Sequence, residues 1–262
     1  MVINRSAQPI IIIPSRLSAS RLPGKPLKII AGLPMIIQVI KRAQEANIAP
    51  ILVAAADQEI YDCVLDYKNF NQENNQVNVL LTDPALQSGS DRINQALQIF
   101  DKEKNYNFII NLQGDLPTID PKLIKTCLAI LVNYNFDMST LAALINNETD
   151  KSNPNIVKVV ISLNDKTKPA KALYFTRATC PYGVGPLYHH IGIYGYTRDS
   201  LERFTALPTS PLELRESLEQ LRALENNFTI GVQIVDTIPI GVDTAEDLEK
   251  AHNFIIKLTK FP

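Results

Sequence analysis

Residues 10–26 read Ile-Ile-Ile-Ile-Pro-Ser-Arg-Leu-Ser-Ala-Ser-Arg-Leu-Pro-Gly-Lys-Pro and hold the pattern that decides the fold. Four consecutive isoleucines are apolar on both faces of an extended chain, which is typical of a strand covered by helices on both sides. Similar runs follow at residues 51–55, 77–81 and 108–112, with helix-period stretches at 35–46, 59–68 and 90–102. This alternation predicts an α/β fold, Rossmann-like, with a mostly parallel central sheet flanked by helices.

The middle of the chain has a different texture. Strand-like segments at residues 157–163, 172–175 and 191–196 are separated by polar or Pro/Gly loops. A helix is predicted at about 212–224, a strand at 229–235 and a final helix at 244–258. We expect a single domain over residues 1–262, with a β-rich insertion at about 135–210.

Composition and charge exclude several classes of protein. Hydrophobic residues make up 45% and charged residues 20%, which excludes a disordered, collagen-like or coiled-coil chain. The 26 Lys plus Arg balance 27 Asp plus Glu, so no nucleic-acid partner is expected. The apolar runs are far shorter than the ~20 residues that cross a bilayer, so no membrane insertion is expected. Cys63, Cys127 and Cys180 lack the spacing of a zinc site or disulfide framework, which favours a cytoplasmic location.

The loop after the first strand is strongly basic. Arg16, Arg21 and Lys25 fall within ten residues, and Gly24 lets the backbone approach a ligand closely. These side chains only donate hydrogen bonds, so together they suit an anion with several oxygens, such as a triphosphate. The Walker A and GxGxxG patterns are both absent. A solvated basic loop without a ligand is the alternative.

Two carboxylates follow predicted strands. Asp115 comes directly after the strand at 108–112, and Asp243 lies just before the last helix. Mg²⁺ that accompanies a triphosphate is held by one or two carboxylates together with phosphate oxygens, which makes these residues candidate metal ligands. Alternatively, Asp115 stabilises a turn, and Asp243 is the N-cap of the helix in a capping box with Glu246.

Nine motifs occur in an order that resembles one family. They are residues 21–27 (RLPGKPL), 87–92 (QSGSDR), 111–115 (NLQGD), 153–160 (NPNIVKVV), 172–179 (ALYFTRAT), 190–196 (HIGIYGY), 210–213 (SPLE), 218–222 (LEQLR) and 241–249 (GVDTAEDLE). Together they resemble the 3-deoxy-D-manno-octulosonate (KDO) cytidylyltransferases, the CMP-KDO synthetases of Gram-negative bacteria. The similarity runs from about residue 9 to residue 252.

The resemblance implies a fold, a reaction and an assembly. The fold is that of the nucleotide-diphospho-sugar transferases. The reaction is Mg²⁺-dependent: the anomeric hydroxyl of KDO attacks the α-phosphate of CTP, giving CMP-KDO and diphosphate. The protein would be a cytoplasmic homodimer that serves lipopolysaccharide synthesis, with the β-rich insertion supplying much of the dimer contact.

The resemblance also assigns roles to residues, grouped here by ligand. The catalytic set is Arg16, Lys25, Asp115 and Asp243, of which Asp115 and Asp243 hold Mg²⁺. The nucleotide-binding set is Arg16, Arg21, Lys25, Gln87, Ser88, Gly89 and Arg92. The sugar-acid set is Gln113, Arg177, His190 and Glu213, with Glu216 and Gln220 as further candidates.

Three observations temper these assignments. His189 and His190 face opposite ways on one strand, and the motif selects His190. Glu213 lies on a predicted helix face opposite Leu214, Leu218 and Leu221, and such a face is ordinarily solvated. The sequence departs from the family pattern at Ala19, Ala56, Leu86, Leu116 and His189.

Two other functions stay open. One is a cytidylyltransferase for a related ulosonic acid, such as 8-amino-KDO or a sialic acid. The other is a non-catalytic nucleotide-binding relative.

Overall fold

A computed structural model describes residues 8–18, 21–70, 76–163 and 165–260, apart from the side chains of residues 259 and 260. The chain divides into two compact units, one formed by Met1–Lys125 with Pro239–Pro262 and the other by Thr126–Ile238. The predicted β-rich segment 135–210 lies within the second unit. That residues 1–262 form one domain stays a prediction.

The described residues form helices and strands in the following order, together with a single turn of 3₁₀ helix at Lys25–Leu27. They are β1 (Pro9–Ser15), β2 (Ile29–Ile30), β3 (Leu33–Pro34), α1 (Met35–Ala46), β4 (Ile51–Ala55), α2 (Gln58–Phe70), β5 (Val77–Leu81), α3 (Gly89–Phe100), β6 (Phe108–Asn111), α4 (Pro121–Asn133), β7 (Met138–Leu144), α5 (Glu148–Ser152), β8 (Lys158–Ile161), β9 (Ala170–Thr176), β10 (Tyr188–Thr197), α6 (Arg198–Thr205), α7 (Pro211–Glu216), α8 (Gln220–Glu225), β11 (Ile230–Val235) and α9 (Ala245–Lys260).

The first unit contains a parallel sheet whose strand order reverses beside β1. The order is β5-β4-β1-β6, and each neighbouring pair is parallel. The chain moves outward from β1 to β4 and β5, then returns to β6 on the other side of β1. Ligands of open α/β sheets bind in the crevice beyond the carboxyl ends of strands at such a reversal. The segments that leave β1 and β6 therefore frame the expected site.

The four isoleucines of β1 are the centre of this sheet. Ile10, Ile11, Ile12 and Ile13 have no solvent exposure, as expected for a strand covered on both faces. Burial of each such side chain contributes about 1.5–3 kcal/mol. α1 begins and ends where the sequence pattern predicts and stops at Asn47, which adopts a left-handed conformation (φ 48°).

The second unit contains a mixed sheet. Its strand order is β10-β7-β11-β9-β8, with β7 antiparallel to β10 and parallel to β11. β8 also pairs with β10 through Lys158 and His189, so the sheet curls back on itself. The register of β10 shifts between Ile191 and Tyr194, which marks a bulge.

The sequence pattern missed or merged several elements. β7 and α4 were not predicted. The helix predicted at about 212–224 is wrong as one element, because Ser217 adopts a left-handed conformation (φ 53°) that ends α7 before α8 begins. Among the described residues, no helix combines the length and apolarity needed to cross a membrane.

Candidate active site

A cavity of about 330 Å³ lies beyond the carboxyl ends of β1 and β6. Many residues predicted to bind nucleotide, metal or sugar line it: Arg16, Arg21, Lys25, Ser88, Gly89, Arg92, Gln113, Asp115 and Asp243. They come from segments far apart in sequence, and the strand-order reversal brings those segments together. Their individual roles stay predictions.

Lys25 joins the two carboxylates at this cavity. Its Nζ donates to Asp115 Oδ2 at 2.9 Å and to Asp243 Oδ1 at 3.1 Å. Gly24, at φ 67°, takes a left-handed turn into the 3₁₀ turn that carries the lysine. The Lys25 side chain is 15% exposed, whereas those of Asp115 and Asp243 are 34% and 48% exposed. The carboxylates therefore keep a face toward solvent while one ammonium holds them together.

Backbone contacts set Asp243 beside Asp115. Val242 N donates to the Asp115 carbonyl at 3.0 Å. Two residues before Val242 and three after Asp115, Ile240 N donates to Thr118 Oγ1 at 2.7 Å, and that hydroxyl reaches the Ile240 carbonyl at 3.3 Å. The segment before α9 is thus attached to the segment after β6, which fixes the separation of the two carboxylates.

The alternative that Asp243 caps the last helix is wrong. α9 begins at Ala245, so its N-cap is Thr244. Thr244 Oγ1 accepts from Asp247 N at 3.2 Å, and Asp247 Oδ2 accepts from Thr244 N at 3.0 Å, which is a capping box. Glu246 instead pairs with Lys250 on the same helix. The Asp243 carboxylate is left to contact Lys25 and, at 3.0 Å, Arg21.

Electrostatics keep Lys25 charged. Burial on its own lowers the pKa of this ammonium, but the charges and hydrogen bonds of Asp115 and Asp243 outweigh burial and raise its pKa overall. Among the described residues, no group of three or more His, Cys, Asp or Glu side chains could hold a metal ion. Two close carboxylates instead fit a hard cation that takes its remaining ligands from phosphate oxygens and water.

Gly114 allows the closest approach in the crevice. A Cβ at this position would lie 3.0 Å from the carbonyl oxygen of Pro14. Any side chain would therefore push apart the segments that leave β1 and β6. Gly89 is less restricted, because a Cβ there would make ordinary contact with Pro14 at 3.6 Å.

Comparison with known proteins gives the family. The family model described as Cytidylyltransferase matches residues 10–234. The chain belongs to the cytidylyltransferase family. It is 54% identical to 3-deoxy-manno-octulosonate cytidylyltransferase of Parvibaculum lavamentivorans, over 94% of this chain and 92% of that one. It is 52% identical to the protein of the same name from Rhizobium etli, over 94% of each chain.

A solved structure agrees with the family. This cytidylyltransferase resembles a structure of CMP:2-keto-3-deoxy-manno-octonic acid synthetase complexed with CTP, with a TM-score of 0.84 and 33% identity, over 96% of this chain and all of that one. The resemblance drawn from the ordered motifs is confirmed, as is the mixed α/β fold with a central sheet.

Arg16 and its neighbours form one rim of the cavity of this cytidylyltransferase. Arg16 is exposed, and its Nη1 lies 3.5 Å from the carbonyl oxygen of Gln87. Ser88 caps α3 by accepting from Asp91 N at 3.0 Å. Arg92 is 2% exposed and donates to oxygens of the segment 82–86. Gln113, in the segment after β6, donates to Asn111 Oδ1 at 2.9 Å.

Arg177 is held by the backbone of its own unit. Its guanidinium donates to the carbonyl oxygens of Glu216 (2.8 Å), Pro154 (3.0 Å) and Ser217 (3.4 Å). The Glu216 carboxylate accepts from Arg177 N at 2.9 Å and from Thr176 Oγ1 at 2.8 Å. These contacts order the segment after β9. A sugar-carboxylate contact by Arg177 stays a prediction.

The prediction that the helix face carrying Glu213 is solvated is wrong. Glu213 and Gln220 are 9% and 6% exposed, whereas Leu214 is 70% exposed. Arg222 binds the Glu213 carboxylate through two hydrogen bonds, at 2.6 and 2.8 Å. Burial on its own raises the pKa of Glu213, but Arg222 and the backbone of Ser210 lower its pKa overall. The pair therefore stays ionised inside the protein.

The contacts of His190 determine its tautomer. Thr140 Oγ1 lies 3.0 Å from His190 Nε2, 3.1 Å from the Ile191 carbonyl and 2.8 Å from the Ile193 carbonyl. Carbonyls only accept, so the single hydroxyl proton goes to a carbonyl and the ring Nε2–H donates to Thr140. Burial, and then the neighbouring His189, lower the pKa of His190 to about 3, so the ring is neutral. Its Nδ1 is therefore a hydrogen-bond acceptor.

Asp57 supports the cavity from outside its lining, and the sequence analysis did not predict this role. Its Oδ2 accepts from Leu17 N at 2.7 Å and so anchors the basic loop just after Arg16. Its position in the sequence could have indicated the role, because Asp57 follows the carboxyl end of β4 much as Asp115 follows that of β6. Of the positions that depart from the family pattern, Leu86 lines the cavity and Ala19 lies outside the described residues.

Proposed function

We propose that this cytidylyltransferase transfers the cytidylyl group of CTP to KDO. The anomeric hydroxyl of the sugar acid attacks the α-phosphorus, and diphosphate leaves in line. The observation that carries the proposal is the contact of Lys25 with both Asp115 and Asp243 in a crevice at the strand-order reversal. The names of relatives at 50–54% identity favour KDO as acceptor over another ulosonic acid.

The cations of the basic loop bind the triphosphate in this proposal. Nucleotidyl transfer requires little covalent chemistry from the protein, so the protein acts by positioning the reactants and by stabilising charge. Lys25 and Arg16 line the same cavity and hold the β- and γ-phosphates. Their positive charges stabilise the negative charge that develops on the leaving diphosphate. Arg21, which is 62% exposed beside Asp243, adds a weaker and more screened contribution.

Asp115 and Asp243 hold Mg²⁺ in this proposal. Both are carboxylates at the cavity, and a two-carboxylate set leaves room for phosphate and water ligands. When bound, the ion polarises the phosphate that is attacked and neutralises charge on its oxygens. Lys25 keeps the two carboxylates together before the ion and nucleotide arrive, which reduces the repulsion between them.

Each residue that the motifs assign to the sugar acid offers a group of complementary chemistry. Gln113 lines the cavity and offers an amide to a sugar hydroxyl. His190 accepts a hydrogen bond from a hydroxyl through Nδ1, and its low pKa makes it a poor general base. Arg177 offers a planar guanidinium for a carboxylate, and Glu213 acts through its pair with Arg222.

The cellular setting is part of the same proposal. A chain that activates KDO serves lipopolysaccharide synthesis in the cytoplasm, where CTP is available. We propose that it acts as a homodimer, with contacts from the β-rich segment 135–210. Tyr182 and Val184 of that segment are fully exposed apolar side chains, which supports a contact there.

Diphosphate release tests the function. The purified chain is incubated with CTP and Mg²⁺, with KDO, 8-amino-KDO, a sialic acid or no acceptor. We expect release that depends on Mg²⁺ and is fastest with KDO. Faster diphosphate release with another acceptor would mean that this acceptor, and not KDO, is the substrate. CTP binding without diphosphate release would favour the non-catalytic relative. Sedimentation of the same sample checks the homodimer.

A further inference from the structure

We propose that Arg92 is a positioning residue: it holds the segment 82–87 in the shape that directs Arg16 into the cavity. This role differs from the nucleotide contact that the sequence motif implies for Arg92. The inference rests on the proposed function, because CTP is the ligand that Arg16 is positioned to bind.

The contacts of Arg92 are concentrated on one short loop between β5 and α3. Nη1 donates to Thr82 Oγ1 at 2.6 Å and to the Asp83 carbonyl at 3.1 Å, and Nη2 donates to the Leu86 carbonyl at 3.2 Å. Arg92 is 2% exposed, so nearly all of its surface is buried inside the protein. A guanidinium offers five N–H donors in a rigid plane, which lets one side chain join three oxygens.

The same loop contacts Arg16. The carbonyl of Gln87, the residue after Leu86, accepts from Arg16 Nη1 at 3.5 Å. The carbonyls bound by Arg92 and Arg16 therefore belong to successive residues, whose two peptide planes meet at the Cα of Gln87. Loss of the Leu86 contact would free the Gln87 carbonyl to rotate away from Arg16.

Other contacts fix the two ends of the loop, and those of its middle stay within the loop. Ala85 N donates to Asp83 Oδ1 at 2.8 Å, and Leu86 N donates to the Asp83 carbonyl at 3.3 Å. Thr82 N and Thr82 Oγ1 both donate to the Ala55 carbonyl, at 2.8 and 3.0 Å. Asp83 N donates to Gln95 Oε1 at 2.7 Å. Ser88 is tied to the first turn of α3. The contact of Arg92 with Leu86 lies between these anchors, next to the residue that meets Arg16.

Charge supports the same arrangement. Burial lowers the pKa of Arg92, and the positive charge of Arg16 lowers it further. Both guanidinium groups line the same cavity, where two positive charges repel each other. Arg16, the exposed member of the pair, donates to the Gln87 carbonyl, whereas Arg92 is buried.

The test measures coupling between the two arginines. CTP affinity is determined by calorimetry with Mg²⁺ for R92K, R92M, R16A and R16A/R92M, and the KM for KDO is taken from diphosphate release. We expect R92K and R92M each to weaken CTP binding about tenfold, because neither Lys nor Met can reproduce the planar fork of guanidinium donors. In the R16A background, R92M should add less than about twofold, and the KM for KDO should change less than about twofold.

D101A is the matched control for lost stability. Asp101 is buried at the other end of the same helix, where it accepts from Asn105 N and Tyr106 N at 2.9 Å. We expect D101A to lower the melting temperature while CTP affinity stays within about twofold of the unsubstituted chain. Amide exchange of segment 82–87 should rise in both Arg92 variants and stay unchanged in D101A.

Several results would overturn the inference. Wild-type affinity in R92K would mean that charge alone matters, and independent effects of R16A and R92M would mean that Arg92 contacts CTP directly. An equal loss of CTP affinity in D101A would mean general destabilisation. If R92M does not fold, R92K with R16A/R92K gives the same comparison. If the unsubstituted chain does not bind CTP, the proposed function is refuted before any variant is compared, and this inference is refuted with it.

Discussion

Asp243 and Thr244 are adjacent, yet their replacement by alanine should damage different properties. The Asp243 carboxylate lies 3.1 Å from Lys25 Nζ and 3.0 Å from Arg21 Nη2 at the cavity. The Thr244 hydroxyl instead completes the capping box of α9 with Asp247. We therefore expect D243A to lose catalysis and T244A to lose stability.

The two effects can be sized from the structure. Loss of one preorganised charge-stabilising group in an active site costs about 3–4 kcal/mol, so D243A should reduce turnover by about 10²–10³-fold. Its effect on stability should be below about 1 kcal/mol, because the carboxylate is 48% exposed and water replaces its partners. T244A should lose about 1 kcal/mol of unfolding free energy, which lowers the melting temperature by roughly 2–4 °C.

Both properties are measured on the same preparations. Diphosphate release at saturating CTP and KDO gives turnover, and circular dichroism during heating gives the melting temperature. A third variant, D243N, keeps the size of the side chain and should behave as D243A does. The reasoning is refuted if D243A retains near-normal turnover but melts earlier, or if T244A loses turnover at an unchanged melting temperature.

Three further substitutions test other contacts. K25M should reduce diphosphate release about 10²-fold by removing the ammonium shared by both carboxylates, whereas K28M, an exposed lysine three residues away, should leave the rate unchanged. Burial lowers the pKa of His190 from 6.5 to about 3, so between these values the unfolded chain binds more protons than the folded chain, and stability falls as the pH drops. H190Q should flatten this part of a curve of melting temperature against pH. An unchanged slope would contradict the assignment to His190. R222M should cost about 3–5 kcal/mol in urea unfolding by leaving Glu213 unpaired, and E213L/R222M should recover part of that loss; no recovery would mean that the pair is not the cause.

Local patterns predicted the first unit well. The four isoleucines of β1 and the apolar spacing of α1 reflect burial on defined faces, and a single sequence records that burial directly. The position of Asp115 followed from the strand before it. That Lys25 would meet Asp115 and Asp243 was a hypothesis from charge and strand order, and the structure brings the three side chains together.

Contacts between distant segments were harder to predict. The spacing of Leu214, Leu218 and Leu221 suggested one helix with a buried leucine face. Ser217 breaks that helix, and the pair Glu213–Arg222 takes the buried position while Leu214 is exposed. The gain from a buried ion pair depends on partners that come together only in the fold, so apolar periodicity does not reveal it.

The choice of N-cap shows the same limit on a smaller scale. Asp243 and Thr244 are both good N-cap residues, and sequence alone pairs Asp243 with Glu246 at capping-box spacing. The bond from Val242 N to the Asp115 carbonyl directs Asp243 toward the cavity and leaves the cap to Thr244. One long-range hydrogen bond thus decides between two local patterns that are equally good.

We expect Asp115 and Asp243 to hold a divalent cation together with CTP beside Lys25. The direct measurement is the ratio of CTP affinities with Mg²⁺ and with EDTA, by calorimetry, for the unsubstituted chain, D115N and D243N, with E246Q on the exposed side of α9 as control. A cation site shared by the two aspartates predicts a ratio of about tenfold or more for the unsubstituted chain and E246Q, and a ratio near one for both aspartate variants. A Mg²⁺ dependence that survives unchanged in D115N and D243N would contradict it.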